Sequence, residues 1–391
     1  MVGLSLLAEN KKYVFSVFVF LAVIVGMTWH VVTRNPLSSY VMPSMQARFV
    51  QYYVDEKFPS RSWLQYAKSI VQDHEYPPAE AARFYAYVTS VYSDVYDVTN
   101  DQKQAIRAPW HLITHIYPYT KPDPTFMLLA IQSSREVTLS PKATEIVDMY
   151  KKRWDEREIH SQSGVQIPGK KDGWISKTEK GFDIAPLNPD AGLWPRWVLT
   201  NDTFDMPAPP TIGSEQDLRE IQEMKDSLAQ REAWRERIFL WWGGKGTGTP
   251  SFQWQDIMHD AVADTMDDKM YARYQKNLAQ ALADTFIICW EKKYTYWTAR
   301  PWMRIPGFKP IAETPPFPGY PSGHSTVSAS AAVILGSWFP DHAADFMAMA
   351  EEARDTRLYA GIHFEVDNTE GFDLGKRIAA KILGRLENAL Q

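Results

Sequence analysis

The chain lacks several features that would point to common protein classes. It has a single cysteine, Cys289, in 391 residues, which excludes an intramolecular disulfide framework and a zinc site built from several cysteines. Because Cys289 lies in an apolar run, we expect a buried thiol rather than a nucleophile. Clusters of basic residues are missing and the formal net charge is −5, so nucleic acid is not an expected partner.

Long hydrophobic runs are also rare, and one alone reaches membrane length. Tyr13–Val32 contains no charged residue, and as a helix it would span roughly 30 Å, the thickness of the hydrocarbon layer. Lys11 and Lys12 precede it, which predicts a cytoplasmic N-terminus. The alternative is a cleaved signal peptide. We predict an uncleaved, single-pass membrane anchor with the catalytic part outside the cytoplasm.

Strand patterns are scarce, whereas apolar residues recur at helical spacing in most of the chain. Prolines occur where helices are predicted to begin, as at Pro77-Pro78, because proline is tolerated in the first turn of a helix. The sequence therefore predicts an all-α fold of helix-bundle domains behind one transmembrane helix. The predicted organisation is a cytoplasmic N-terminus (1–12), the anchor (13–33), a linker (34–48), an N-terminal helical region (49–155), a long irregular crossover (156–212) and a catalytic helical region (213–391).

Three motifs near the C-terminal end carry the chemistry. In the first, Trp290, Lys293, Trp297 and Arg300 are spaced as one face of a helix, and Pro301 is expected to end that helix. Two cations on an otherwise aromatic face are costly if buried without a partner. An anion bound there would remove that cost.

The second motif is Pro321-Ser322-Gly323-His324, which precedes a helix rich in Ala and Ser. Ser322 is placed to cap the helix, and Gly323 lets the backbone come close to a ligand. The free N–H groups of the helix start then favour an anion. His324, in the first turn, is a candidate general acid or base.

The third motif is Arg357 followed by His363 and Asp367. Four residues apart on one helix, the Asp367 carboxylate could bond one ring nitrogen of His363 and leave the other free to attack phosphorus or to bind vanadium. Arg357 could grip oxyanion oxygens in a fork. Each motif alone is more often a solvated surface feature. All three motifs in this order, however, are a strong signal of an oxyanion site.

In this order the motifs resemble the signature of the superfamily that joins type-2 phosphatidic acid phosphatases (PAP2), bacterial class A acid phosphatases and vanadium haloperoxidases. Thr356 stands where the family usually has serine. The resemblance implies that His363 is the phosphorylated nucleophile or the vanadium ligand and that His324 is its acid–base partner. It implies that the oxyanion, vanadate or phosphate, is held by Lys293, Arg300, Ser322, Gly323, His324 and Arg357, with Lys293 also polarising the bound reactant.

Two aromatic residues make the sequence similar to the haloperoxidase branch. Trp290 and Phe317 correspond to aromatic residues beside the vanadium site of that branch, although both could also be ordinary packing residues. Our leading hypothesis is a vanadate-dependent haloperoxidase-like enzyme that acts on halide with hydrogen peroxide. The alternatives are a PAP2-type acid phosphatase, which needs no cofactor and hydrolyses phosphomonoesters, and a non-catalytic phosphate-binding module.

Overall fold

Helices account for the regular structure of this protein, as the sequence pattern predicts. The computed structural model describes residues 57–118, 137–161, 173–229, 233–243 and 249–390, and within these ranges there is no β-strand, only two isolated bridges. The α-helices of these ranges are α1 (Pro59–Asp73), α2 (Pro78–Thr99), α3 (Gln102–Ile116), α4 (Pro141–Ser161), α5 (Glu215–Ala229), α6 (Ala233–Gly243), α7 (Pro250–Val262), α8 (Asp268–Tyr296), α9 (Pro301–Arg304), α10 (Gly323–Trp338), α11 (Ala343–Tyr359) and α12 (Glu365–Leu390). The all-α prediction is confirmed.

The predicted membrane anchor cannot be compared with these helices directly. In the five described ranges, none of the helices combines the length and the apolar run that a bilayer crossing requires. The predicted anchor at 13–33 and the linker at 34–48 lie outside the described residues.

Local sequence signals explain where the helices begin. Proline occupies the first position of α2, where its missing N–H costs nothing. Asp101 caps α3 by accepting the N–H of Lys103 at 2.9 Å, and Asp267 caps α8 by accepting the N–H of Met270 at 2.8 Å.

Helix α2 lies at the centre of the N-terminal half. Its residues are buried on all faces, and it packs against α1, α3, α4 and α8. Aromatic rings such as Tyr87, Trp154 and Trp197 fill the gaps between these helices with edge-to-face contacts. The same core extends to Ala272 on α8, so the N-terminal helices support the helix that carries the first motif.

The described part of the irregular crossover packs against α8. Helix α4 continues to Ser161, past the predicted start of the crossover at 156, and the described part that follows, 173–212, contains a single 3-10 turn. It is fixed by the fully buried carboxylate of Asp284, which accepts the N–H groups of Trp197, Val198 and Leu199 at 2.6, 2.8 and 2.9 Å. Hydrogen bonds to a carboxylate are strong, and these three tie an otherwise unpaired backbone to the core.

Helices α10 and α12 approach each other through two glycines. A Cβ on Gly371 would lie 2.9 Å from the carbonyl oxygen of Ser322, and one on Gly375 would overlap the carbonyl oxygen of Thr326. The Ala- and Ser-rich sequence of α10 presents an equally small surface. This contact places the second motif, at the start of α10, directly beside the third motif, at the start of α12.

We predict that Gly375→Ala lowers the free energy of unfolding by about 1–3 kcal/mol or more, because the added methyl group forces the two helix backbones apart. It should also weaken oxyanion binding, since the start of α10 would move relative to α12. Thermal unfolding and sulfate titration measure the two effects.

Gly384→Ala is the matched control. Gly384 lies in the same helix, and a Cβ there meets no atom within 4 Å, so the change should stabilise the helix by about 0.5–1 kcal/mol. Equal stability of the two variants would contradict the close contact between α10 and α12.

Candidate active site

The first motif lies where helix α8 ends. Trp290 and Lys293 are on the last turns of α8 and are buried. The helix ends at Tyr296, because Trp297 adopts a left-handed conformation with φ of 55°. The prediction that Arg300 continues the same helix face is therefore wrong. Arg300 is extended, as a residue before proline should be, and Pro301 begins α9 rather than ending α8.

Lys293 is fully buried, and no carboxylate of the described ranges lies within salt-bridge distance of it. Its ammonium group donates to the carbonyl oxygens of Pro318 and Gly319 at 3.0 and 2.7 Å. It also lies 5.1 Å from the ring centre of Phe317 and 5.8 Å from that of Trp290, within the range of cation–π attraction. Burial lowers the pKa of Lys293, since these contacts replace hydration only in part.

Arg300 and Arg357 both enter the site with an unused donor. Arg300 donates to the carbonyl oxygens of Phe317 and Ile362 and contacts His363 Nε2 at 2.9 Å through Nη1. Arg357 donates through Nε to the hydroxyl of Thr356 at 2.9 Å. The buried Nη2 of each guanidinium has no hydrogen-bond partner among the residues that the structure describes.

Two orphaned guanidinium nitrogens in one buried site are rare, because an unsatisfied charged donor is costly. Burial lowers the pKa of both Arg300 and Arg357, as expected for positive charges removed from water. Thr356 keeps the hydroxyl that the usual serine would provide, so this departure from the family pattern preserves the bond to Arg357.

The start of α10 adds backbone donors. Ser322 caps the helix as predicted, and its hydroxyl accepts the N–H of Ser325 at 3.5 Å. The N–H of Ser322 itself donates to the carbonyl oxygen of Asp367 at 2.8 Å, which joins the second and third motifs. A Cβ on Gly323 would point toward Trp290 and Lys293, at 3.5 and 3.9 Å, so the glycine leaves open space beside the lysine for a ligand.

His363 and Asp367 form the predicted pair. Nδ1 of His363 lies 3.0 Å from Oδ2 of Asp367, an oxygen that also accepts the N–H of Phe364. His363 precedes α12, which begins at Glu365, so the prediction that both residues lie on one helix is wrong. The bond instead spans the helix start. With Nδ1–H donating to Asp367, Nε2 keeps its lone pair and accepts from Arg300.

His324 lies at the edge of the site and is the most exposed member of the set. Its Nε2 is 3.0 Å from the carbonyl oxygen of Trp242 and 3.3 Å from Nη1 of Arg357. The carbonyl can only accept and the guanidinium can only donate, so the two contacts favour opposite tautomers of His324. The shorter contact, with the carbonyl, favours a proton on Nε2. Burial, followed by the charge of Arg357, holds the pKa of His324 well below its usual range.

His363 is also held neutral. Burial and then the charge of Arg300 keep its pKa well below the usual range. Nε2 is therefore unprotonated, and its lone pair, which accepts from Arg300 here, is the one that a ligand or nucleophile requires. The carboxyl of Asp367 has its pKa raised by burial.

Sequence reasoning missed the end of helix α6. Besides the carbonyl of Trp242, this end contributes Gly243, where a Cβ would lie 2.6 Å from Nη1 of Arg357, and Phe239, whose ring centre is 4.6 Å from the Arg357 guanidinium. The Trp-Trp-Gly sequence was the available signal, but a backbone carbonyl and a missing side chain carry no chemical signature. The loop that follows, 244–248, lies outside the described residues.

The residues fit a tetrahedral oxyanion. Lys293, Arg300 and Arg357 supply positive charge, α10 supplies N–H groups, and both orphaned guanidinium nitrogens need an acceptor. A bare metal cation has no comparable support, because the described part of the chain contains no cluster of three or more His, Cys, Asp and Glu side chains able to hold one.

We predict that sulfate, whose charge is constant near neutral pH, binds more weakly as pH rises. The pKa of Lys293 is lowered by burial in the anion-free protein, and a bound anion would raise it again. Binding therefore takes up protons, up to about one per anion from this group, and affinity falls as pH increases. Calorimetry in buffers of different ionisation enthalpy measures the uptake.

Lys293→Met is the control for that prediction, since it removes the titrating group and keeps the apolar stem. Its sulfate affinity should be lower and less dependent on pH. A wild-type affinity that stays constant with pH would contradict the assignment, as would an unchanged slope in the variant.

Comparison with known proteins was made for the sequence and for the fold. Residues 277–386 match the sequence model of the PAP2 superfamily. No curated protein matches the chain. A bacterial vanadium-dependent iodoperoxidase aligns over 83% of this chain and 95% of its own, with 20% identity and a TM-score of 0.67. The holo form of a bacterial vanadium-dependent chloroperoxidase aligns over 87% and 99%, with 10% identity and a TM-score of 0.65.

At these identities the two structures show a shared fold. The matched segment 277–386 contains all three motifs. The resemblance that the motifs indicated is thereby confirmed, and the segment that carries them is a PAP2 superfamily region.

Proposed function

We propose that the protein is a vanadate-dependent haloperoxidase that oxidises halide with hydrogen peroxide. The observation that carries this proposal is the closure of the oxyanion site. Lys293, Arg300 and Ser322 are 0% exposed, Arg357 is 1% exposed and His363 3% exposed. Peroxide and halide are small enough for such a site, whereas the organic group of a phosphomonoester needs more room.

The aromatic wall supports the same proposal. Trp290 and Phe317 are 1% and 6% exposed, and their ring centres are 4.9 Å apart. They offer an apolar surface beside Lys293 instead of the polar groups that would recognise a sugar or lipid leaving group. The two proteins of similar fold described above are an iodoperoxidase and a chloroperoxidase, in agreement with this proposal.

Each residue of the site would have a distinct role in this reaction. Lys293, Arg300, Arg357 and the N–H groups at the start of α10 would hold the vanadate oxygens, and His363 Nε2 would be the protein ligand. When bound, vanadate supplies a Lewis-acidic centre that activates peroxide toward halide. Asp367 keeps the proton on His363 Nδ1, His324 holds and transfers a proton at Nε2, and Trp290 with Phe317 excludes water.

A PAP2-type acid phosphatase is the second candidate, favoured by the neutral, oriented His363. Its Nε2 would attack phosphorus, the bond to the leaving oxygen would break, and His324, protonated on both ring nitrogens, would give that oxygen a proton. The negative charge of the bound phosphate would raise the pKa of His324 and so favour this imidazolium form. Water, deprotonated by His324, would then hydrolyse the phosphohistidine. Lys293, Arg300 and Arg357 would stabilise the transition-state charge.

The deciding experiment uses full-length protein freed of phosphate. We expect halogenation of a trapping dye with vanadate, peroxide and bromide, and a loss of about 100-fold or more in His363→Ala, because the protein ligand is removed. His115→Ala is the control: His115 is exposed and also bonded to an aspartate, Asp155, at 2.8 Å. Release of phosphate from an aryl phosphate, inhibited by vanadate and without halogenation, would reverse the order of the two candidates.

We further propose that residues 13–33 anchor the chain, with the catalytic part outside the cytoplasm. The support is the uncharged stretch Tyr13–Val32 behind Lys11 and Lys12. Membrane fractions should retain the protein after a carbonate wash, and protease added to the outer face of the membrane should digest the catalytic part. Release by carbonate, or complete protection from protease, would contradict this topology.

A further inference from the structure

A second pocket meets the active site at a single residue, Asp367. Its volume is about 390 Å³, and its wall includes Asp367 but none of Lys293, Arg300, Ser322, His324, Arg357 and His363. A pocket of this size accommodates a small organic molecule. The oxyanion chemistry does not require this pocket, so the pocket is available for a different ligand.

The walls of this pocket are largely apolar. Pro209, Pro210 and Ile212, at the end of the crossover, face Trp297 and Phe364. Trp297 is fixed there by its left-handed backbone and by the bond from its indole N–H to the carbonyl of Trp174 at 2.9 Å. Rings and prolines of this kind form a rigid surface for the apolar body of a ligand.

The charges of the pocket are unbalanced. Asp217 and Arg304 form an ion pair at 2.8 Å and offset each other. Glu220 accepts the N–H of Val366 at 2.9 Å and a second backbone hydrogen bond from Glu365, both at the start of α12, and among the described residues it has no salt-bridge partner. Burial raises the pKa of Glu220, as expected for a carboxylate without a cation.

We propose that this pocket binds a small organic cation, an apolar body that carries an ammonium group paired with Glu220. A neutral ligand would bury Glu220 further without a cation, and an anion would be repelled by Glu220. The proposal stands independently of the proposed function, because it depends on the pocket lining and on no step of the oxyanion chemistry.

The test measures binding of three probes with the same phenyl body to the full chain by calorimetry. The probes are phenethylammonium, 2-phenylethanol and 3-phenylpropionate, all in excess phosphate so that the oxyanion site is occupied. We expect phenethylammonium to bind at least about fivefold more tightly than the alcohol, with the carboxylate weakest. Glu220→Gln should abolish most of the preference for the ammonium probe.

Two pairs of variants separate this pocket from general surface charge. Glu223→Gln removes an exposed carboxylate from the same helix, α5, outside the pocket lining. Ile212→Arg adds a positive charge to the pocket wall, whereas Leu218→Arg adds one on the exposed surface of α5. Ile212→Arg should weaken phenethylammonium binding about fivefold or more and Leu218→Arg much less.

The proposal is overturned if wild-type protein binds no phenethylammonium at millimolar concentration, or if the alcohol binds as tightly. It is also overturned if Glu220→Gln has no larger effect than Glu223→Gln. None of these measurements uses halogenation or phosphate hydrolysis, so failure here is distinguishable from failure of the proposed function.

Discussion

Lys293, Arg300 and Arg357 place three positive charges in a site that is nearly closed to solvent, with Asp367 as the carboxylate of the motifs. Removing a charge from water costs several kcal/mol unless it is paired or hydrogen-bonded. The protein offsets part of this cost with backbone carbonyls, such as those of Pro318 and Gly319 on Lys293. The remaining donors are left for a ligand. The affinity for an oxyanion and the electrostatic strain of the ligand-free site therefore have one origin.

The same cations determine the state of the histidines. A neutral His363 is required if Nε2 is to act as ligand or nucleophile, and the positive field together with burial disfavours the imidazolium. Asp367 opposes that field, yet its bond to Nδ1 is what keeps the lone pair on Nε2. His324, near Arg357 and the Trp242 carbonyl, is subject to both influences. Arg357 thus acts on the proton of His324 as well as on the ligand.

The rest of the fold keeps these charges at fixed positions. Small residues let α10 and α12 touch, so that the Ser322 N–H reaches the Asp367 carbonyl oxygen. On the other side of α8, Asp284 holds the crossover, and the crossover carbonyl of Leu187 accepts the indole N–H of Trp290 at 3.3 Å. The cost of burying three cations is therefore offset by packing spread over much of the chain.

How far the sequence could predict this arrangement depended on the kind of interaction. Lys293, Arg357, His363 and Asp367 were identifiable because their three motifs occur together in one order, and the cap at Ser322 followed from local backbone chemistry. The break at Trp297 was not predictable, because a left-handed tryptophan is unfavourable locally and persists through tertiary contacts. Nor was the role of Trp242, since it acts through a carbonyl that every residue possesses. Motif spacing thus identified the candidate side chains, while the backbone atoms that hydrogen-bond to them required the structure.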